Sequence, residues 1–234
     1  MFSLHQSFSS SLIHLFFPHV CRGCSEVLPD RSQQLCSICL AELPYTHFEA
    51  IEMNPVERTF YGRAKLIAAT SLLYFTPSSL TQELVHQFKY NGQQNLARFL
   101  GRIMGRSILS SPRFSGIQQI LPLPLYKNRE KQRGYNQSQL LSEGISDILG
   151  LPILSDAVIR QKATKTQTHK SREERWANVG GQFSLATHHK LANKSVLLVD
   201  DVITTGATLD ACASLINTVS NTNVYIASLA FAMK

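Results

Sequence analysis

The stretch 196–208, VLLVDDVITTGAT, is where residue type and spacing point most directly to chemistry. Val196 to Val199 read as a buried strand, with two adjacent carboxylates, Asp200 and Asp201, at its carboxyl end. Thr204, Thr205, Gly206, Ala207 and Thr208 then form a turn that opens a helix. Ligands of open α/β sheets bind at the carboxyl edge of the strands. Free N–H groups at a helix N-terminus favour an anion there. The threonine hydroxyls add donors, and Gly206 lets the backbone pass close to a ligand. The carboxylate pair can accept hydrogen bonds from vicinal hydroxyls. Together these groups ask for a sugar diol with a phosphate a few ångströms away, as in a ribose 5-phosphate. Helix capping alone accounts for one Asp or one Thr, not for two carboxylates and three threonines around a glycine. No Lys follows Gly206 as in a triphosphate loop, and no G-x-G-x-x-G occurs.

A second constellation is Cys21-x-x-Cys24 and Cys36-x-x-Cys39, two pairs separated by eleven residues. Each pair can form a knuckle, and together they offer four thiolates to one tetrahedral ion. The reading is structural Zn²⁺, whose binding folds a segment with too small a core of its own. Two disulfides are the alternative; they need an oxidising compartment, and no export signal is visible. With four cysteine ligands no position stays open for catalysis. Cys212 stands alone in a helical pattern and reads as core.

These groups must be held by a scaffold. The chain has 234 residues, 44% hydrophobic and 17% charged, which excludes a mainly disordered chain. No run of about 18 apolar residues is present, so no transmembrane segment is expected, and the expected location is cytoplasmic. The opening residues lack the basic start and cleavage site of a signal peptide. Leu4, Phe8, Leu12, Leu15 and Phe16 instead follow the stripe of a short amphipathic helix. The expected domains are a helix and four-Cys unit over 1–48, a linker over 49–65, and an α/β domain over 66–234. Strands are expected at 66–75, 117–125, 195–200 and 223–231. Helices are expected after Ser79, whose capping box closes on Gln82, and over about 93–109, 137–149 and 207–220. Their alternation implies a parallel sheet flanked by helices.

The net charge is +7, yet residues 1–60 carry three basic and six acidic side chains. The basic surface therefore lies beyond residue 60 and favours an anionic partner. Lys127, Arg129, Lys131 and Arg133 alternate in an expected loop after the 117–125 strand, which places them on the same rim as Asp200. Lys89 is a further candidate anion contact. Arg98, Arg102 and Arg106 read as a solvated helix face. Lys165, Lys170, Arg172 and Arg175 belong to a long polar segment expected to be exposed. With Tyr135 and Trp176 these cations suit single-stranded nucleic acid, stacking bases while neutralising phosphates; Trp176 reads equally as a core anchor.

The 196–208 stretch resembles the phosphoribosyl-pyrophosphate (PRPP) signature of type I phosphoribosyltransferases. The resemblance implies that Asp200 and Asp201 hold ribose hydroxyls, that 204–208 cradles the 5-phosphate, that Lys89, Lys127 and Arg129 lie near the pyrophosphate, and that Mg²⁺ accompanies PRPP. The four-Cys motif, Phe88-Lys89-Tyr90-Asn91-Gly92, Leu121-Pro-Leu-Pro124, Arg133-Gly-Tyr-Asn-Gln137, and the spread of Arg160, Thr164, Gln167, Arg175, Asn178 and Phe183 are similar to the ComF competence family. That resemblance covers essentially the whole chain. It implies a role in natural transformation, with single-stranded DNA and a PRPP-like ligand as partners and DNA-uptake helicase or processing proteins as candidates to meet it. Two readings follow: a DNA-handling protein with a PRPP pocket, or an active phosphoribosyltransferase in nucleotide salvage or an unknown phosphoribosyl transfer. No residue set clearly reads an acceptor base, and no catalytic residue is evident.

Overall fold

Turns around the cysteines build the first of two units, which divide between Leu43 and Pro44. The computed structural model describes residues 18–161 and 182–233. The expected amphipathic helix at Leu4–Phe16 and the residues Thr164, Lys165, Gln167, Lys170, Arg172, Arg175, Trp176 and Asn178 lie outside them. In the first unit Val20 bridges to Val27, and Leu28 and Leu35 form a small buried centre. Cys36 caps the short helix α1 (Ser37–Ala41) with its own sulfur, which accepts the Cys39 N–H.

The second unit runs α2 (Pro55–Thr59), β1 (Ala68–Phe75), α3 (Leu80–Tyr90), α4 (Gln94–Leu109), β2 (Gln119–Pro122), α5 (Lys127–Arg133), α6 (Gln137–Leu149), β3 (Val158–Arg160), β4 (Phe183–Leu185), β5 (Ser195–Ile203), α7 (Ala207–Ile216) and β6 (Asn223–Ala232). β1, β6, β5 and β2 lie in that order in one parallel sheet, and β3 pairs antiparallel with β4 as a separate hairpin. The core strands are buried along nearly their whole length, which is why Val196–Val199 and Val224–Ala230 read as almost unbroken apolar or small runs. Alternate residues Val196 and Leu198 join Leu209, Cys212 and Ile216 of α7 in one apolar cluster. Cys212 is a core residue, as expected. All four parallel strands point the same way, so the end of β2 at Pro122 and the end of β5 at Asp200–Ile203 open on one edge.

Helices α4 and α6 pack backbone to backbone. A Cβ at Gly101 would run into the Leu141 carbonyl, and one at Gly144 into the Arg98 carbonyl. Arg98 and Arg102 also reach across to Glu143 (2.7 Å) and Asp147 (3.3 Å) of α6, so these two link the helices rather than simply facing water, while Arg106 is exposed. The close approach fixes where α6 begins, and Asn136 caps it by accepting the Ser138 N–H at 3.0 Å. The capping box expected at Ser79 is present: its hydroxyl accepts the Gln82 N–H at 3.2 Å, and the Gln82 side chain takes the Ser78 N–H at 2.6 Å.

Two expectations are corrected. Residues 49–65 are no linker: Val56 and Phe60 lie in the apolar cluster, along with Phe48 just before them. Asn54, almost fully buried, caps α2 through Val56 and Glu57 N–H and donates to the carbonyls of Phe48, Ile51 and Ala69. This closed set of bonds ties the segment to β1. The basic stretch after β2 is not a loop either. Lys127–Arg133 forms α5, because it consists largely of strong helix formers and Gly134, at φ 79°, supplies the left-handed stop.

Candidate functional site

The candidate site is built at the carboxyl end of β5. Asp200 and Asp201 follow the buried run Val196–Val199, the strand ends at buried Ile203, and the chain turns through exposed Thr204 and Thr205 into α7. Gly206 sits at φ 72°, and a Cβ there would press on Thr59 Cγ2 at 2.8 Å and the Phe60 ring at 3.2 Å. Only glycine fits both the backbone and the space. The turn is held from behind by residues the sequence had assigned to a linker. Arg63 donates to the Thr205 carbonyl at 3.3 Å, and the Ala64 N–H donates to Asp210 Oδ1 at 3.0 Å. The Thr204 and Thr205 side chains face water at the N-terminus of α7, where the helix dipole favours an anion.

The two carboxylates are held differently. Asp200 accepts from the Ser138 hydroxyl at 3.1 Å and from the Asp201 N–H at 2.8 Å, both on Oδ1. Asp201 Oδ2 lies 2.9 Å from Lys89 Nζ, with only 15% and 18% of the two side chains exposed. Burial, with the Asp201 charge beside it, pushes the Asp200 carboxyl up from its ordinary 3.8 to about 7; the Asp201 N–H, Lys89 and Ser138 resist the shift without cancelling it. A carboxylate pair kept in protein without a full set of counter-charges is a common feature of ligand sites.

Cations surround this edge in two separate cavities. One, of about 480 Å³, is lined by Lys89, Tyr90, Gly92, Arg129, Gln132, Arg133 and Tyr135. The other, of about 400 Å³, lies beside the end of β2, whose outer side is bridged by Ile153, and includes Lys127, Arg98, Tyr135 and Arg160. The structure thus brings Lys89 and Arg129 together and sets Lys127 apart from them. Lys131 is exposed on α5 and lines neither. Arg133 stacks over the Tyr90 ring at 5.1 Å and donates to Gln137 Oε1 at 2.8 Å. Tyr135 is oriented by its hydroxyl, which donates to the Phe88 carbonyl at 2.6 Å. Arg160 lies over Tyr126 at 4.1 Å and Phe183 at 5.3 Å.

Sequence reading missed Ser138 and Arg63. Nothing in one chain links Ser138 to a carboxylate sixty-two positions away. A clearer signal existed for the segment before Arg63: Asn54-Pro55-Val56-Glu57 has the cap residue, N1 proline and first-turn acid of a helix start.

In the first unit the sulfurs of Cys21, Cys24, Cys36 and Cys39 all lie within 4.8 Å of one another, and none is in a disulfide. Cys24 and Cys36 Sγ are 3.7 Å apart, close to the edge of about 3.8 Å that zinc–sulfur bonds of about 2.3 Å give a tetrahedron. Backbone N–H groups of Gly23 (3.4 Å) and Cys36 (3.2 Å) point at Cys21 Sγ. Burial opposes ionisation of Cys21, but backbone N–H groups of Cys24, Cys36 and Gly23 outweigh it and bring the thiol down to about 7. The cluster has the composition and spacing to hold one tetrahedral metal ion.

Residues 127–234 match the family described as the phosphoribosyl transferase domain. Over 224 residues the chain is 31% identical to Competence protein F of Haemophilus influenzae, covering 94% of this chain and 93% of that one. It is 35% identical over 146 residues to DNA utilization protein YhgH of Salmonella typhimurium, covering 61% and 62% of the two chains. It is 26% identical over 200 residues to Competence protein ComFC of Bacillus subtilis, covering 83% and 76%.

The carboxylate pair makes stability depend on pH in a definite direction. With its folded value near 7 and its unfolded value near 3.8, Asp200 holds a proton in the native state that the unfolded chain has released. Its favourable contribution is full below the unfolded value and is lost as pH rises through about 7. Asp200→Asn keeps the acceptor oxygen and removes the charge. It should stabilise the ligand-free protein at pH 8, by on the order of 1 kcal/mol or more, with the gain shrinking toward pH 5. Thermal melts across that range check this; a gain independent of pH would contradict it.

Proposed function

Because the chain belongs to the competence protein F family, we propose that it serves natural transformation by handling incoming single-stranded DNA in the cytosol, and that it binds PRPP with Mg²⁺ at 200–208. The observation that carries the reading is the Asp200–Asp201 pair beside a glycine-bearing turn, with Lys89 already on Asp201 and Arg129 in the adjoining cavity. In this reading the carboxylates accept from the ribose hydroxyls. The Thr204–Thr208 turn donates backbone N–H and hydroxyl groups to the 5-phosphate, and Lys89 and Arg129 face the pyrophosphate. Mg²⁺ would neutralise the pyrophosphate charge and travel with the ligand. Lys127 is the least direct member of this set, since it lines the other cavity.

The DNA reading rests on Arg129, Lys131 and Arg133 of α5 with Tyr135, and on Lys165, Lys170, Arg172, Arg175 and Trp176 further along the chain. Arg129 and Lys131 are exposed, and Arg133 and Tyr135 partly so. Guanidinium and ammonium groups neutralise phosphates while tyrosine offers a stacking face. Helicase or DNA-processing proteins are the partners this role calls for.

The competing reading, an active phosphoribosyltransferase, has one observation in its favour: a carboxyl near 7 at Asp200 can exchange a proton at neutral pH. Pyrophosphate release on mixing PRPP with bases or DNA would decide for it.

In the cysteine unit we infer structural Zn²⁺, held by Cys21, Cys24, Cys36 and Cys39. Elemental analysis should find one zinc per chain. Cys24→Ser or Cys36→Ser should release it and unfold the first unit, with little change in the binding properties of the second; absence of stoichiometric metal would refute the assignment.

Single-stranded oligonucleotides should bind in preference to duplex, with affinity falling steeply as salt rises, because phosphate neutralisation releases counterions. Reversing charge at Arg129 and Lys131 should weaken binding about tenfold or more and reduce the slope of log affinity against log salt by roughly two. A duplex preference, or affinity indifferent to salt, would return the transferase to first place.

A further inference from the structure

Lys89 is engaged on one side and lines a cavity on the other. Its Nζ lies 2.9 Å from Asp201 Oδ2, and its side chain lines the cavity of about 480 Å³. That cavity contains three cations, Lys89, Arg129 and Arg133, and no carboxylate. Among the described residues neither Arg129 nor Arg133 forms an ion pair. Arg133 is held by neutral groups instead: Gln137 Oε1 at 2.8 Å, the Tyr90 hydroxyl at 3.4 Å and the Tyr90 ring beneath it. Hydrogen bonds to neutral oxygens orient a guanidinium without cancelling its charge. The lining is therefore a cationic bowl in which Lys89 alone has a counter-charge, and its size suits a phosphate or a diphosphate.

The same lysine competes for the neighbouring site. As long as Nζ sits on Asp201 Oδ2, that oxygen is shared with the ammonium and is a weaker acceptor for a sugar diol. Nothing within the pair supplies a second partner for Lys89 if a diol arrives, and a part-buried ammonium left without a counter-charge is costly. A phosphate in the bowl would be that partner. The lysine stem is flexible, so the ammonium can move from one anion to the other without moving the backbone of α3.

We propose that the basic cavity is a phosphate site and that filling it draws Lys89 off Asp201, so that the phosphate and the sugar diol bind with positive coupling. This rests on the reading of 200–208 as a diol-and-phosphate site and adds its regulation. The ligand chemistry is a phosphate anion, from the pyrophosphate of a phosphoribosyl ligand or from the backbone of single-stranded DNA. In either case the anion opens Asp201 for the diol, and the diol in turn hands Lys89 to the anion. The coupling is reciprocal.

Calorimetric titration of the full chain with ribose 5-phosphate, with and without inorganic pyrophosphate or a short oligodeoxythymidylate, tests this. In the wild type at least one of the two anions should tighten ribose 5-phosphate binding by about fivefold or more, the lower end of ordinary coupling. Enhancement by pyrophosphate alone assigns the cavity to the phosphoribosyl ligand, and enhancement by the oligonucleotide alone assigns it to DNA. Lys89→Met should bind ribose 5-phosphate more tightly than wild type without any anion, and the enhancement should vanish. Asp201→Asn gives the mirror image: freed Lys89 should tighten pyrophosphate binding alone. A merely structural ion pair predicts the opposite, weaker binding in both variants. Ribose 5-phosphate affinity indifferent to both anions, or Asp201→Asn weakening pyrophosphate binding, would overturn the coupling while leaving the diol site standing. No ribose 5-phosphate binding in wild type or Lys89→Met would overturn the diol reading itself.

Discussion

Two like charges at the end of one buried strand are the constraint on which the rest depends. Asp200 and Asp201 are consecutive, so their separation cannot be relaxed by moving an element. The protein instead surrounds them unequally. Asp201 receives a whole counter-charge from Lys89 at 2.9 Å, while Asp200 receives a hydroxyl from Ser138 and its neighbour's N–H. That inequality leaves Asp200 poised near 7 and Asp201 ion-paired. The arrangement is unfavourable to the free protein and favourable to a ligand bringing hydroxyl donors or a cation. Such local conflict is expected where binding, not stability, determines the residue.

The surrounding architecture is arranged to hold that conflict in place. Parallel pairing brings the ends of β2 and β5 to one edge. Glycine contacts let α4 and α6 approach closely enough that Ser138 reaches Asp200. Phe60 and Thr59 back Gly206, and Arg63 and Ala64 anchor the turn and the first turn of α7. The supports of the turn come from a single segment, residues 59–64, so a stretch remote in sequence holds it from outside and adds to its own bonds. The cysteine unit is an independent solution to a different problem, a short segment whose buried centre is too small to fold unaided.

Much of this was legible in sequence because the signals are local. The apolar run ending in Asp200–Asp201, the cap at Ser79 and the doubled Cys-x-x-Cys motif each lie within a few residues, and each element stands where it was expected. The misreadings have physical causes. Residues 49–65 have few aliphatics, but Val56 and Phe60 are deeply placed, Asn54 is fully bonded, and Glu57 pairs with the remote Arg113, so scattered apolar and polar anchors fix the segment. The 127–133 stretch looked like a loop because its charge masks its helix propensity; without a buried residue, α5 has no apolar stripe to read. The β3–β4 hairpin joins strands of three residues each, too short for any period to show. Long-range partners such as Ser138 and Arg63 leave no trace in local pattern. The division of the cations into two cavities depends on α5 being a helix, so it could not precede that finding.

The central claim is that the carboxylate pair and the glycine-bearing turn form a working PRPP site rather than an inherited turn. Isothermal titration of PRPP with Mg²⁺ into wild type and into the Asp200→Ala, Asp201→Ala double variant tests it most directly. Each carboxylate contributes a charge-assisted hydrogen bond of about 1.5–3 kcal/mol. Wild type should therefore show saturable binding with one site per chain, and the double variant should lose roughly a hundredfold or more in affinity. Equal affinity in the two proteins would contradict the account.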